Sequence, residues 1–117
     1  MSRLDGDSTY AMRFERGNHP AQHVRGFWSV TCIDAQTCRV TPNRQECYSL
    51  GSHSRLRVGD DGTLTLYFSA KPPPGVPDSN WLPTPAGRGY ILIWRSYVPD
   101  HATVSGAWFP PELQRIP

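Results

Sequence analysis

The sequence predicts an all-β fold, a sandwich or barrel of about six to eight short strands, on three observations. Prolines (12) and glycines (10) make up about a fifth of the 117 residues, so chain reversals are frequent. No long window repeats apolar residues at helical spacing, while short alternating runs bounded by turn residues recur at the interval expected of a sandwich. Four Trp, five Tyr and four Phe residues are spread with the aliphatics through the same segments, which separates this composition from that of a disordered chain.

The strongest run is Tyr90–Val98 (YILIWRSYV). Successive side chains of a strand point to opposite faces. Tyr90, Leu92, Trp94, Ser96 and Val98 therefore share one face, and Ile91, Ile93, Arg95 and Tyr97 the other. Both faces are mostly apolar, which predicts a central strand covered on both sides. Aromatic and β-branched residues dominate, with no Ala, Glu or Lys among them, and this argues against a helix. The preceding Asn80–Gly89 (NWLPTPAGRG) reads as an ordered loop, with Trp81 and Leu82 set among Pro83, Pro85, Gly87 and Gly89.

In chain order, Ser8–Phe14 alternates, with Tyr10, Met12 and Phe14 on one face, and predicts a half-buried strand. Glu15–Gly26 carries Gly17, Asn18, Pro20 and Gly26 and reads as a loop. Phe27–Asp34 is a second strong strand, with Trp28, Val30, Cys32 and Asp34 opposite Phe27, Ser29, Thr31 and Ile33. A turn and a short extended piece, Cys38–Val40, follow, and Asn43–Gly51 is irregular. Leu56 and Val58 suggest a short strand with Arg55 and Arg57 on its other face. Gly59–Gly62 (GDDG) is the clearest tight turn, because Asp61-Gly62 suits a hairpin that needs positive φ. It leads into Thr63–Ser69, with Leu64, Leu66 and Phe68 inward. Three consecutive prolines keep Ala70–Asp78 out of any strand interior. Val104–Phe109 reads as a last strand and the rest, to Pro117, as a tail. The expected core is Tyr10, Met12, Phe14, Trp28, Val30, Leu64, Leu66, Phe68, Ile91, Ile93 and Trp94.

Length predicts one domain over residues 1–117, large enough to bury roughly two-thirds of its unfolded surface without a metal or disulfide staple. The net charge is +2, and the arginines are scattered with no two adjacent, so no nucleic-acid partner is expected. No apolar run reaches the roughly 18 residues of a membrane span. The opening MSRLDGDSTY lacks the apolar stretch of a signal peptide, which predicts a cytoplasmic location. Cys32, Cys38 and Cys47 are an odd number and, without export, read as free thiols. They lack the close Cys-x-x-Cys pairing of a metal site, and no metal or cofactor is expected.

Several residues invite a functional reading beside a plainer one. His19 and His23 have helical ligand spacing, but Pro20 lies between them, so a solvated loop explains them better. Asp34 and Arg95 read as a structural ion pair, or Arg95 as a bidentate anion binder. Trp81, Trp108 and Tyr97 would suit a flat sugar- or aromatic-binding surface, against loop pinning, whereas core packing explains Trp94 better. No nucleophile elbow and no glycine-rich phosphate loop is present.

The landmarks FWSVTCID, YSLG, DGTLTLYF, NWLPTPAG, the aromatic strand to YVP, and GAWFPPELQRI resemble, in order and spacing, the family of domain of unknown function 1214. The resemblance covers about residues 7–116. It implies a jelly-roll-like antiparallel β-sandwich and no settled activity. Members often carry a companion domain, of unknown function 1254, in front, and this protein is expected to lack it. The family's Asn-Arg-Tyr-Ser pattern is replaced here by NRQECYSLG, which displaces Arg44 from Tyr48.

The leading expectation is a non-catalytic ligand-binding or assembly module that forms a homo-oligomer or docks to a partner subunit. Its ligand class would be a small molecule or a glycan. The alternative is a small hydrolase, cyclase or isomerase with a pocket near Asn80–Gly89, where Tyr48 or His53 moves a proton, Arg95 holds an anion and Trp81 lines the wall. Tyr48, His53, Trp81, Arg95, Tyr97 and Trp108 are thus the candidate ligand-binding residues.

Overall fold

The computed structural model describes residues 4–16, 19–20, 27–40, 47–52, 54–96 and 113–116. Among them the regular structure is eight β-strands and one 3-10 turn. The strands are β1 (Leu4–Asp5), β2 (Thr9–Phe14), β3 (Trp28–Asp34), β4 (Ser49–Gly51), β5 (Leu64–Ser69), β6 (Trp81–Pro83), β7 (Gly89–Ser96) and β8 (Gln114–Ile116). They form two four-stranded sheets, ordered β1-β7-β3-β4 and β6-β5-β2-β8. Every pairing is antiparallel except β5 with β6. The all-β sandwich expected from composition is therefore present.

Register follows the apolar pattern. In the second sheet Tyr10, Met12 and Phe14 lie opposite Phe68, Leu66 and Leu64. In the first, Val30 lies opposite Trp94 and Cys32 opposite Leu92. A one-residue slip in either pair would turn every one of these side chains outward, so burial itself selects the register. The two inner faces meet through aromatic rings. Trp28 stacks on Trp94 at 5.1 Å between centroids, and Phe14 of the other sheet leans on both, at 6.4 and 6.0 Å. Tyr10 meets Tyr90 edge-on at 6.3 Å. Met12, Phe14, Leu64, Leu66, Phe68 and Leu82 face Trp28, Val30, Cys32, Leu50, Tyr90 and Leu92 across the core.

Four expectations are corrected. Ile91 and Ile93 are not core residues. Tyr90 and Leu92 fill the core, and Ile91 and Ile93 lie half-buried on the outer face of the first sheet. With both faces of β7 apolar, sequence alone could not rank them; pairing with Trp28, Val30 and Cys32 on β3 does. Residues 55–58 form no strand, and Val58 is exposed. Trp81–Pro83, read as loop, is the buried parallel edge strand β6. Residues 114–116, read as tail, pair with β2 as β8. The expected strand at 104–109 lies outside the described residues.

The turns behave as their chemistry requires. Gly62 sits at φ +85° in the GDDG turn, and the Gly59 N–H donates to the Thr63 carbonyl at 2.8 Å. Gly6 packs so closely on the next loop that a Cβ there would run into the carbonyl oxygens of Pro85 and Arg88. Among the described residues no helix is long and apolar enough to cross a membrane.

Candidate functional site

Of the sequence-derived candidates, Tyr48, Trp81 and Arg95 fall among the described residues, each in a different segment. Trp81 is buried in β6, and its indole N–H donates to the Ser69 carbonyl and hydroxyl oxygens, each at 3.1 Å. Ser69 Oγ in turn donates to the Lys71 carbonyl, so Trp81 anchors the start of the proline-rich segment from within. Arg95 is exposed on the outer face of the first sheet, opposite Ser29. Tyr48 is exposed just before β4. His53, Tyr97 and Trp108 lie outside the described residues, as do Arg44 and His23. His19 donates from Nε2 to the Gly62 carbonyl at 2.8 Å and so braces the GDDG turn.

Asp34 does not pair with Arg95. It sits opposite Tyr90 and faces inward, whereas Arg95 sits opposite Ser29, about 17 Å along the sheet and on the other face. Asp34 instead holds Arg88, at 3.0 Å from Nε, and accepts the backbone N–H groups of Gln36 and Thr37 at 2.8 and 3.1 Å. Burial pushes its carboxyl pKa up. The two N–H donors and the Arg88 guanidinium outweigh that and hold it below the usual 3.8. Asp5 is lowered by the Asp7 N–H, the Ser8 hydroxyl and Arg115, and Asp61 by the Thr63 hydroxyl and N–H and by Arg13.

A carboxyl whose pKa is depressed in the folded state stabilises the fold above its unfolded value and ceases to do so as pH falls through the folded one. Thermal stability is therefore expected to hold from neutral pH down to about 4, near the unfolded 3.8, and to fall below it. Asp34→Asn is expected to lower the melting temperature at pH 7 and to flatten the acid limb. Melting curves at stepped pH check this, and an acid limb of unchanged slope in the variant would remove Asp34 from the explanation.

Two of the thiols, Cys32 and Cys47, are not poised for attack. Burial and the neighbouring Asp34 push Cys32 up to about 12, and burial raises Cys47. Both stay protonated at neutral pH, whereas a reactive cysteine needs its pKa lowered. All three cysteines are free. Tyr90 is fully buried, and burial, with Cys32 and Tyr10 nearby, raises its phenol pKa. Among the described residues no three His, Cys, Asp or Glu side chains gather as a metal site.

Sequence reasoning missed the arrangement that the structure assembles around Asn80. This residue ends the 3-10 turn Asp78–Asn80 and is 3% exposed. Its amide oxygen accepts the Arg57 N–H at 2.8 Å, and its amide nitrogen donates to the carbonyls of Arg57 and Thr65 at 2.8 and 3.0 Å. One side chain thus provides the pairing that a neighbouring strand would have provided to residues 55–58. The outcome is a groove on the outer face of the second sheet. Part of it, about 310 Å3, is lined by Arg57, Thr63, Thr65, Tyr67 and Pro77. The adjoining part, about 510 Å3, is lined by Arg55, Arg57, Pro77, Asp78 and Ser79. The alternation of Arg55 and Arg57 was the visible sign, but nothing local marks Asn80 as their clamp.

Residues 1–101 match the family described as a protein of unknown function, DUF1214. The chain belongs to the DUF1214 family. Its fold is similar to that of the VPA0106 protein from Vibrio parahaemolyticus, with a TM-score of 0.77 and 33% identity over 97% of this chain and 27% of that one. It is also similar to an uncharacterised protein from Burkholderia cenocepacia, with a TM-score of 0.56 and 19% identity over 97% of this chain and 28% of that one, a likeness of fold alone. This DUF1214 chain thus spans about a quarter of the length of either solved structure. No functionally curated protein matches it.

Proposed function

We propose that this DUF1214 domain is a non-catalytic binding and assembly module that self-associates through the outer face of its first sheet. The observation that carries this reading is the apolar outer face of β3 and β7. Ile33 and Ile91 are cross-strand partners there, Ile93 lies opposite Thr31, and Val40 bridges to Ile33. The three isoleucines remain half-buried, Val40 is 42% exposed, and Phe27, just before β3, is 47% exposed. Adjacent β-branched side chains on a sheet form a flat, water-exposed apolar patch, and such patches mark association surfaces.

Edge-to-edge pairing is a weaker route. The edge strands β1, β4, β6 and β8 are two or three residues long, which offers little unpaired backbone for a second copy to extend.

Native mass spectrometry, with light scattering on the purified chain, tests the proposal. A homo-oligomer is expected, and Ile93→Glu is expected to weaken it at least about tenfold by burying an unpaired charge. The folded monomer should survive the change because the position is on the surface. A chain that stays monomeric at high micromolar concentration, or an oligomer indifferent to Ile93→Glu, would overturn it.

A further inference from the structure

The geometry points to the Arg55–Arg57 groove as a binding site for a carboxylate-bearing sugar, such as a hexuronate unit of an acidic polysaccharide. Three of the described arginines are neutralised by a carboxylate. Arg13 pairs with Glu15 and Asp61, Arg88 with Asp34, and Arg115 with Asp5. Among the described residues neither Arg55 nor Arg57 has a carboxylate within ion-pair distance. Both nevertheless line one cavity, two positions apart along the same segment. Two arginines that line one groove, neither of them in an ion pair among the described residues, offer several forked N–H donors to an incoming carboxylate.

The groove is also built rather than incidental. Asn80 holds the backbone of Arg57 at both its N–H and its carbonyl, so the chain that carries this arginine is fixed before a ligand arrives. Preorganisation of this kind lowers the entropy lost on binding. The remaining lining suits a sugar ring. Tyr67 and Pro77 offer apolar surface to a pyranose face, the Thr65 hydroxyl can exchange hydrogen bonds with ring hydroxyls, and those of Thr63 and Ser79, which donate to Asp61 and Asn80, can accept from them.

Asp78, on the same wall, bears on the choice of anion. Its carboxylate accepts from sugar hydroxyls and repels any anion, a dianionic phosphate about twice as strongly as a single carboxylate. It also opposes a nucleic-acid backbone, for which two arginines in a chain of net charge +2 form no continuous basic track. The groove lies on the second sheet, away from the isoleucine face of the first, so this site and self-association stand or fall separately.

Titration of the full chain with trigalacturonate, followed by calorimetry and by amide NMR shifts, tests the site. Saturable binding is expected, with shifts centred on residues 55–58, 63–67 and 76–80. Arg57→Gln and Arg55→Gln are each expected to weaken it at least about tenfold. Neither variant should lose folding stability, because Asn80 grips the Arg57 backbone and not its guanidinium. Arg39→Gln removes the same charge from an exposed arginine that lines neither part of the groove, and is expected to leave binding unchanged. Maltotriose, neutral and of equal length, is expected to bind at least tenfold more weakly, and inorganic phosphate not to compete. Absence of saturable binding at millimolar trigalacturonate would overturn the proposal. So would equal loss in Arg39→Gln, or equally strong competition by phosphate.

Discussion

Trp28→Ala is expected to destabilise the fold by about 3–5 kcal/mol, the range for truncating a large buried aromatic. Trp28 is 3% exposed and lies at the junction of the two sheets. It stacks on Trp94 within its own sheet at 5.1 Å and 14° and meets Phe14 of the other sheet at 6.4 Å. Removing the indole therefore opens a cavity between sheets and also strips one face from Trp94. Against a total stability of about 5–15 kcal/mol, a loss of this size leaves a small domain marginal. Urea unfolding followed by tryptophan fluorescence checks it. Trp28→Phe, which keeps a ring in the gap, is expected to recover more than half of the loss. A Trp28→Ala loss below about 1 kcal/mol would show that the inter-sheet contact closes without the indole.

The second large effect is at Asn80. Asn80→Ala deletes four hydrogen bonds made by one buried amide, and leaves three backbone groups, the Arg57 N–H and the Arg57 and Thr65 carbonyls, and also the Ser79 hydroxyl, without that partner. A buried polar group left unpaired costs about 1–3 kcal/mol, and solvent can reach part of this segment, so a net loss of about 2–3 kcal/mol is expected. Asn80→Asp is expected to be at least as damaging. It keeps an acceptor for the Arg57 N–H but sets a buried carboxylate against two carbonyl oxygens. Thermal melts and urea titrations of both variants measure this. A loss under about 0.5 kcal/mol in Asn80→Ala would mean that water satisfies all three backbone groups. Because the same amide positions Arg57, trigalacturonate affinity is expected to fall in Asn80→Ala although both arginines remain. That outcome separates preorganisation from charge.

How much of this was readable in advance depended on strand length. β2, β3, β5 and β7 run for six to eight residues, long enough for alternation or sustained β-former content to show. β1, β4, β6 and β8 run for two or three, too short to carry a period, and all four were read as loop or tail or went unnoticed. The GDDG turn was legible because a positive φ demands particular residues wherever it occurs. The landmark order was enough to find the family. Burial on one face rather than two was not legible at Ile91 and Ile93, since both faces of β7 carry apolar side chains.

The sequence by itself determined the all-β class, the four long strands and the membership in DUF1214, because local alternation and turn chemistry are properties of neighbours along the chain. Tertiary structure alone decided that Asp34 meets Arg88 and not Arg95, that Trp81 is buried and bonded to Ser69, and that Asn80 reaches back to fix the Arg57 backbone. Each of these partnerships spans from 12 to 54 residues of chain. They are selected by strand register and by the need to pair buried polar groups, neither of which leaves a local trace.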